Sequence, residues 1–154
     1  MAVIAMTDLP TYTGFMIRRA QQAHVAAWQR EVSTEISSVQ FGLLSVLAQR
    51  PGVSQRELCD ALDLDRSTIA DLVVRLQRRG LLSRERDGDD KRRNVLQITP
   101  AGTVELEHLR PHVDDVETVL TGGLTADERA ELRRLLDRVV TPGRVPVPSA
   151  ANPE

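Results

Sequence analysis

The sequence is poor in aromatic residues and in cysteine. Phe, Trp and Tyr together make up 3% of the 154 residues, so the core has to be built from aliphatic side chains. The single cysteine, Cys59, excludes an internal disulfide and any zinc site with several cysteine ligands. No apolar run approaches the roughly 20 residues that a membrane-spanning helix needs, and residues 1–10 lack the basic and apolar regions of a secretory signal. We therefore expect a soluble, cytoplasmic protein with no membrane partner.

The charge of the chain is nearly balanced overall but unevenly distributed. The formal net charge is −2 at pH 7, which argues against a uniformly basic coat for nucleic acid. Residues 66–93, however, hold nine Arg or Lys against five Asp or Glu, whereas residues 103–140 hold five against nine. This asymmetry is expected of a protein that presents one basic face to phosphate.

Helical periodicity dominates the middle of the chain. Capping boxes at Ser54 with Glu57 and at Thr125 with Glu128 mark two helix starts. Pro111 is expected to bend the fifth helix. The predicted helices cover residues 12–32, 38–49, 54–62, 65–79, 99–120 and, after the capping box at Thr125, residues 129–140.

The remaining segments predict a hairpin and two flexible ends. Residues 81–86 and 95–99 are typical of short strands, and the charged residues 87–94 form the tip between them. Residues 1–10 are expected to be a frayed start, and the Pro- and Ala-rich residues 141–154 a flexible tail. Helix, short turn, helix and hairpin make a winged helix-turn-helix. The predicted fold is mainly α with a small β-hairpin wing.

The first turn of the fourth helix offers hydrogen-bonding side chains to a DNA groove. The second helix of a helix-turn-helix presents its first residues to base edges in the major groove. Arg66 is able to bind guanine through two hydrogen bonds, and Ser67 and Thr68 are able to reach bases or phosphates. The alternative is a solvated arginine face on an amphipathic helix. Farther along the helix, the arginines suited to phosphate contacts are Arg75, Arg78 and Arg79.

Five stretches of the chain carry a specific resemblance. Residues 80–84 (GLLSR), 90–92 (DKR) and 96–102 (LQITPAG) resemble the wing signature of the MarR family of transcriptional regulators. Residues 65–68 (DRST) and 72–76 (LVVRL) resemble the recognition helix of the same family. With the flanking helices included, the similarity extends over most of the chain.

The resemblance assigns a role to the charged wing tip. Members of the family insert a wing arginine into the minor groove, and Arg92 occupies the matching position. Asp90 is implied to hold that arginine by an ion pair. Lys91 and Arg93 flank it and complete the expected DNA contacts of the wing. The alternative is an ordinary solvated hairpin.

The resemblance also predicts a homodimer. Residues 37–102 would form the DNA-binding domain, and residues 11–36 and 103–140 would be dimerisation helices that intertwine across a twofold axis. A twofold protein binds a pseudo-palindromic site on double-stranded DNA. The apolar residues assigned to the interface are Leu106, Leu109, Val113, Val116, Val119, Leu132, Leu135, Leu136 and Val139.

The first helix is similar to that of family members that respond to aromatic carboxylates. His24 and Trp28 are four residues apart and share a helix face, where an imidazole beside an indole suits a hydroxylated ring. Arg18 could pair with a carboxylate, but it lies about 120° around the helix from His24. One alternative is that Arg18 serves the pocket of the twofold-related subunit. The other is that all three are ordinary core, interface or surface residues.

Two other sensor types fit part of the sequence. His108 and His112 are spaced like zinc ligands, with Glu105 and Asp115 nearby. A zinc-responsive regulator of the same fold is therefore an alternative, although no metal or cofactor site is assigned. Cys59 makes a redox-responsive regulator a further alternative, but its place within a helix is typical of a small buried packing residue.

The sequence favours a binding protein over an enzyme. It contains no nucleophile elbow, phosphate-binding loop, paired-glycine fingerprint or metal-binding helix motif. We therefore predict a repressor that a small aromatic acid releases from DNA. A DNA-compacting winged helix without a ligand is the remaining alternative, and it would bind DNA with a steep salt dependence but little sequence preference.

Overall fold

The computed structural model describes residues 6–90 and 94–141. In these residues it contains a 3-10 helix, six α-helices and one antiparallel hairpin. The predicted winged helix-turn-helix is confirmed. In chain order the elements are the 3-10 helix Met6–Thr11, α1 Thr13–Glu31, α2 Ser38–Gln49, α3 Gln55–Leu62, α4 Arg66–Arg78, β1 Leu82–Arg86, β2 Asn94–Ile98, α5 Pro100–Thr121 and α6 Ala126–Val140.

The 3-10 helix Met6–Thr11 occupies part of the stretch that the sequence predicts to be frayed. Pro10 lies inside it, and the backbone N–H of Tyr12 donates to the carbonyl of Leu9 at 3.1 Å. The pyrrolidine ring fixes φ near the helical value, which favours such a short turn. Flexibility of residues 1–10 stays a prediction, and residues 142–154 of the expected tail lie outside the described residues.

Side-chain caps fix the starts of the helices. Both predicted capping boxes are confirmed: Ser54 and Glu57 start α3, and Thr125 and Glu128 start α6. The last helix begins at Ala126, three residues earlier than the sequence predicts, because this box sets the start of the helix. A third capping box, formed by Ser37 and Gln40, starts α2. It was missed because a glutamine side chain replaces the more familiar glutamate.

The hairpin is held to the helices at both ends. β1 and β2 pair from Leu82 opposite Ile98 to Arg86 opposite Asn94, and Val53 adds a short bridge to the second strand. At Gly102, in the first turn of α5, an added Cβ would lie 2.0 Å from the carbonyl oxygen of Leu81. Only glycine allows this close approach of helix to wing, which explains the glycine in the wing signature.

A single aliphatic core joins α2, α3, α4 and the wing, as the low aromatic content predicts. Its fully buried side chains include Leu44 of α2, Leu58 of α3, Leu76 of α4 and Leu96 of β2. A smaller cluster, made by Ala27, Trp28 and Val116, joins α1 to α5. The core therefore fixes α4 against both the helix before it and the hairpin after it.

Burial in α5 shows that part of the predicted dimer interface is wrong. Leu106, Leu109 and Val116 are buried inside the single chain, because the inner face of α5 packs on α1 and α2. These three residues are core residues, and their assignment to the interface is wrong.

α5 continues through Pro111 to Thr121. Within α6, all of whose residues the structure describes, no residue is buried. Across the described residues, no helix is long and apolar enough to cross a bilayer.

Candidate nucleic-acid interface and effector cavity

The first turn of α4 is organised around one carboxylate. Asp65, the N-cap, accepts hydrogen bonds from the Ser67 hydroxyl at 2.5 Å, the Thr68 hydroxyl at 2.7 Å and the Thr68 backbone N–H at 2.9 Å. The bonds from Ser67 and Thr68 lower the pKa of the Asp65 carboxyl well below its ordinary range. Asp65 therefore stays a carboxylate at the end of α4 where the helix dipole favours negative charge.

These hydrogen bonds limit the base contacts that Ser67 and Thr68 can make. The hydroxyl hydrogens of Ser67 and Thr68 point at Asp65, so in this conformation the two side chains offer lone pairs rather than donors to a groove. Arg66, beside them, is exposed and presents its guanidinium donors. Base contacts by the three residues stay a prediction, in which Arg66 is the main donor.

Arg66 lies beside a second arginine that sequence analysis missed. A surface cavity of about 280 Å³ lies between exposed parts of α3 and α4, and it is lined by Gln55, Arg56, Cys59, Arg66 and Ala70. Arg56 is exposed near the start of α3, on the same side of the molecule as the first turn of α4. The available signal was a basic residue two positions after the Ser54 cap of the first helix of the helix-turn-helix.

The arginines near the end of α4 have different surroundings. Arg75 and Arg78 are exposed. Arg79 instead donates from Nη1 to the backbone carbonyl of Glu35 at 2.8 Å and from Nη2 to its carboxylate at 2.9 Å. The sequence predicts Arg79 to contact phosphate, but in this structure both of these donors bind the α1–α2 connection. These two hydrogen bonds connect the end of α4 to Glu35.

The wing contributes basic residues on its first strand. Arg84 and Arg86 are exposed and, two residues apart, lie on one face of β1. Within the tip, Asp90 is the last residue described before the gap at 91–93. The predicted contacts of Lys91, Arg92 and Arg93 lie outside the described residues. The ion pair of Asp90 with the wing arginine therefore stays a prediction.

A second surface feature lies behind the recognition helix. It is a cavity of about 230 Å³ between α1, the α1–α2 connection, the start of α2 and α4, and we call it the effector cavity because the sequence predicts that a small ligand binds beside Trp28. Leu72 and Arg75 of α4 form one of its walls. Among its described lining residues, Arg75 is the only basic side chain and Glu35 the only acidic one. The lining residues are Val25, Trp28, Gln29, Ser33, Thr34, Glu35, Ser37, Ser38, Gln40, Leu72 and Arg75.

Trp28 fixes the shape of the effector cavity. Its indole N–H donates to the carbonyl of Ile36 at 2.6 Å, and its ring centroid lies 5.5 Å from that of Phe41. The side chain is only 5% exposed. Because the N–H is already bound, Trp28 offers the cavity an aromatic wall rather than a hydrogen bond, and it holds the α1–α2 connection to α1.

The structure separates the three predicted ligand residues. Trp28 lines the effector cavity. His24 lies next to Trp28, with the ring centroids 6.2 Å apart and the rings tilted by 51°, but it does not line the cavity. Arg18 lies over the ring of Phe15, 5.4 Å from its centroid, and does not line the cavity of its own chain either. Arg18 and His24 contact different aromatic rings, Phe15 and Trp28, and lie on different faces of α1.

The structure places few potential ligands at the two alternative sensor sites, the His108 and His112 pair and Cys59. His108 and His112 have ring centroids 6.2 Å apart, and Nδ1 of His112 lies 3.7 Å from the Asp115 carboxylate. Within the part of the chain that the structure describes, no three His, Cys, Asp or Glu side chains group as metal ligands would. Cys59 is half-buried and packs against the main core, partly as the sequence predicts.

Known proteins resemble this chain along nearly its whole length. Residues 34–93 match the MarR family model. The transcriptional regulator HosA of Escherichia coli O127:H6 is 31% identical over 124 residues, 80% of this chain and 91% of HosA. The PcaV regulator of Streptomyces coelicolor, solved with its natural ligand, is 40% identical with a TM-score of 0.85, over 94% of this chain and 100% of that one.

A third relative links DNA binding to a small acid. BpsR of Bordetella bronchiseptica, whose DNA binding is regulated by 6-hydroxynicotinic acid, is 28% identical with a TM-score of 0.79. The match covers 84% of this chain and 93% of BpsR. These likenesses confirm the resemblance that the wing and the recognition helix predict. The chain belongs to the MarR family of transcriptional regulators.

Proposed function

We propose that the protein is a homodimeric repressor that binds a pseudo-palindromic DNA site and leaves it when a small aromatic acid binds. The observation that carries this proposal is the position of α4. Arg66 at the start of the helix and Arg78 near its end are exposed to solvent, and Leu72 and Arg75 between them form a wall of the effector cavity. A ligand in that cavity touches the helix that would read DNA.

The DNA-binding face combines α4 with its neighbours. Arg66 and Arg56 flank the start of the helix, Arg78 lies toward its end, and Arg84 and Arg86 extend the basic surface along β1. Lys91, Arg92 and Arg93 of the wing would add a minor-groove contact. Such a division, with a helix in the major groove and basic side chains on phosphates, is how winged helices bind duplex DNA. The protein would act in the cytoplasm, beside the DNA it binds, and by binding rather than catalysis.

The exposed side of α6 supports the homodimer. Leu132, Leu135, Leu136 and Val139 are each 39–54% exposed, and their spacing places them along one stripe of the helix. A continuous apolar stripe of this kind is uncommon on a monomer and marks an interface. In the proposed dimer, the terminal helices of two chains cover each other and set the distance between the two copies of α4.

The effector cavity supports a small aromatic acid as the ligand. Its volume is about 230 Å³, below the roughly 300 to 1,000 Å³ of pockets for drug-sized ligands, so one ring fits better than several. Trp28 supplies an apolar wall for the ring. Ser33, Thr34 and Gln29 offer hydrogen bonds to a ring hydroxyl, and Arg75 supplies a positive charge for a carboxylate.

Release of DNA follows from a difference in affinity between two conformations. An effector that binds better when the α1–α2 connection and α4 are displaced shifts the population toward that conformation. In the dimer, the displacement changes the spacing of the two recognition helices, so the DNA site no longer fits both at once. Arg79, bound to Glu35, links the two displaced elements.

Fluorescence anisotropy with duplex DNA from upstream of the protein's own gene tests the proposal. We expect tight binding to this duplex, weak binding to a scrambled duplex, and weakening by one member of a panel of hydroxybenzoates, hydroxycinnamates and 6-hydroxynicotinate. Arg66→Gln should reduce the preference for the native duplex, whereas Arg110→Gln, on the exposed side of α5, should not. Equal binding to native and scrambled duplexes would contradict sequence-specific regulation and favour a DNA-compacting protein.

A further inference from the structure

The effector cavity contains one positive and one negative side chain among its described lining residues, and both are tied to α4. Arg75 belongs to α4 itself, and Glu35 is bound by Arg79 at the end of the same helix. Arg18, the carboxylate partner that the sequence suggests, does not line the cavity of its own chain. An acid entering this cavity therefore meets Arg75 as its cationic partner.

Arg75 lies at the border between two surfaces of the helix. Successive residues of an α-helix are rotated by about 100°, which places Arg75 about 60° from Arg78 on one side and about 60° from Leu72 on the other. Arg78 points away from the buried residues of α4, toward the expected DNA, whereas Leu72 lines the effector cavity. The flexible side chain of Arg75 starts between the two.

The guanidinium of Arg75 is available in the DNA-free chain. The side chain is exposed, and within residues 6–90 and 94–141 it forms no hydrogen bond or ion pair. Arg79, one turn later, contrasts with it because two of its nitrogens bind Glu35. A planar, permanently charged fork without a partner suits either a phosphate or a carboxylate.

We infer that Arg75 is a shared anion contact: it binds an operator phosphate when DNA is present and the carboxylate of the effector when the cavity is filled. The inference rests on the proposed function and adds a direct competition to the conformational change. The acid removes a phosphate contact from the DNA interface as well as displacing the helix. Arg75 thereby makes the negative charge of the ligand a requirement for release.

Glu35 narrows the class of ligand further. Glu35 lines the cavity and its carboxylate already binds Arg79, so among the described lining residues Arg75 is left as the only cation and a second negative charge on the ligand has no partner. The remaining polar lining consists of neutral hydroxyl and amide groups, which suit a ring hydroxyl. The ligand class that fits is an aromatic monocarboxylate with a neutral polar substituent, rather than a dicarboxylate or a neutral phenol.

Ligand binding without DNA tests the carboxylate half of the inference. Isothermal titration calorimetry would compare 4-hydroxybenzoate, 6-hydroxynicotinate and the neutral 4-hydroxybenzamide, and the single indole N–H signal of Trp28 in NMR spectra would locate them in the cavity. Arg75→Gln should weaken the affinity for the acid by at least about tenfold and leave the affinity for the amide unchanged, because only the acid has a charge that pairs with the guanidinium. Arg75→Lys should weaken it less. Arg78→Gln, one turn away and outside the cavity lining, is the matched control and should not change acid binding.

The salt dependence of DNA binding tests the phosphate half. Each phosphate contact that a substitution removes should make the slope of log K against log salt concentration shallower by about one. We expect Arg75→Gln and Arg78→Gln both to reduce this slope on the native upstream duplex. A reduction in Arg78→Gln with an unchanged slope in Arg75→Gln would overturn the shared contact.

The outcomes separate this inference from the proposed function. If Arg75→Gln binds the acid as tightly as the wild type while Arg18→Gln no longer binds it, the carboxylate partner is Arg18 of one of the two chains, and only the inference is overturned. If the wild type binds none of the acids at millimolar concentration, the aromatic-acid effector of the proposed function is overturned together with the inference. Thermal unfolding of each variant would confirm that these exposed substitutions leave the fold intact.

Discussion

The winged-helix lobe, residues 37–102, and the last helix differ in what covers their apolar side chains. In the lobe, leucines such as Leu44, Leu58 and Leu76 are completely buried by neighbouring elements of the same chain. In α6, whose residues are all described, Leu135 is 44% exposed and no side chain is buried. The core of the lobe is therefore covered within the chain, with Leu106 and Leu109 of α5 among its buried residues, whereas the apolar stripe of α6 would be covered by the second chain of the proposed dimer.

Both regions nevertheless use the same local signals. Asp65 caps α4 in the lobe, and Thr125 with Glu128 caps α6 at the end of the chain. Exposed ion pairs also occur in both, between Glu35 and Arg79 and between Glu117 and Arg133. Caps and surface pairs establish where a helix starts and which neighbour it faces. The difference between the regions lies in tertiary and quaternary burial.

The largest effect is expected from charges on the α6 stripe. Leu132→Asp combined with Leu136→Asp should raise the dimer dissociation constant by more than about a thousandfold, because each buried leucine contributes roughly 1.5 to 3 kcal/mol. Sedimentation velocity at micromolar concentration should then give the monomer mass. Ala130→Asp, on the opposite side of α6, is the control and should remain a dimer. A wild-type protein that is already monomeric would contradict the proposed interface.

Truncating a core leucine of the recognition helix should have the next largest effect, a loss of several kcal/mol in the free energy of unfolding. Leu76→Ala is expected to lower the free energy of unfolding by about 3 kcal/mol, because it removes a fully buried side chain and leaves a cavity. Urea unfolding monitored by circular dichroism would measure the change. Leu120→Ala, at a 36% exposed position near the end of α5, serves as a comparison and should cost much less. Equal costs at the two sites would contradict the contrast between the regions.

The Asp65 cap should make the stability of the lobe depend on pH. Its pKa is lowered in the folded protein by hydrogen bonds from Ser67 and Thr68, so its stabilisation is present above the ordinary carboxyl pKa, near pH 4, and is lost as the pH falls further. Asp65→Asn keeps a good capping residue but cannot titrate. In urea unfolding between pH 5 and pH 2.5, the variant should lose less stability than the wild type. Parallel pH profiles would show that the cap does not carry this dependence.

The smallest effect on stability is expected from the ion pair that joins the effector cavity to α4. Glu35→Gln should change the free energy of unfolding by less than about 1 kcal/mol, because the pair is exposed. It should nevertheless reduce the factor by which an aromatic acid weakens DNA binding. Glu117→Gln, which breaks an exposed pair between α5 and α6, is the matched control and should leave that factor unchanged. Equal factors in both variants would contradict a linking role for Arg79.

Most of the fold could be predicted from the sequence because its signals are local. The boxes at Ser54 and Thr125, the Asp65 cap and the glycine after α4 mark element ends within a few residues of the chain. Apolar periodicity then indicates which side of each helix is buried. It does not indicate what buries it, and for this reason Leu106 and Leu109 were assigned to a partner chain rather than to their own core.

The effector cavity was predictable only in part because it is built by distant residues. Trp28 could be identified from its spacing to His24, but its bond to the Ile36 carbonyl depends on how the chain turns after α1. The contact of Arg79 with Glu35 spans 44 positions, and no local pattern encodes it. Likewise, no local pattern shows that Arg75 lines a cavity, because most of the other lining residues belong to α1, the α1–α2 connection and α2.

The most direct test of the account is a reciprocal binding measurement. If the two surfaces are coupled, saturating acid must weaken DNA binding, and by thermodynamic linkage saturating DNA must weaken acid binding by the same factor. Calorimetry with an aromatic acid from the panel, with and without excess native duplex, would measure the second factor, and anisotropy would measure the first. We predict equal factors of at least about tenfold. Acid binding that is the same in the presence and absence of bound duplex would contradict the account.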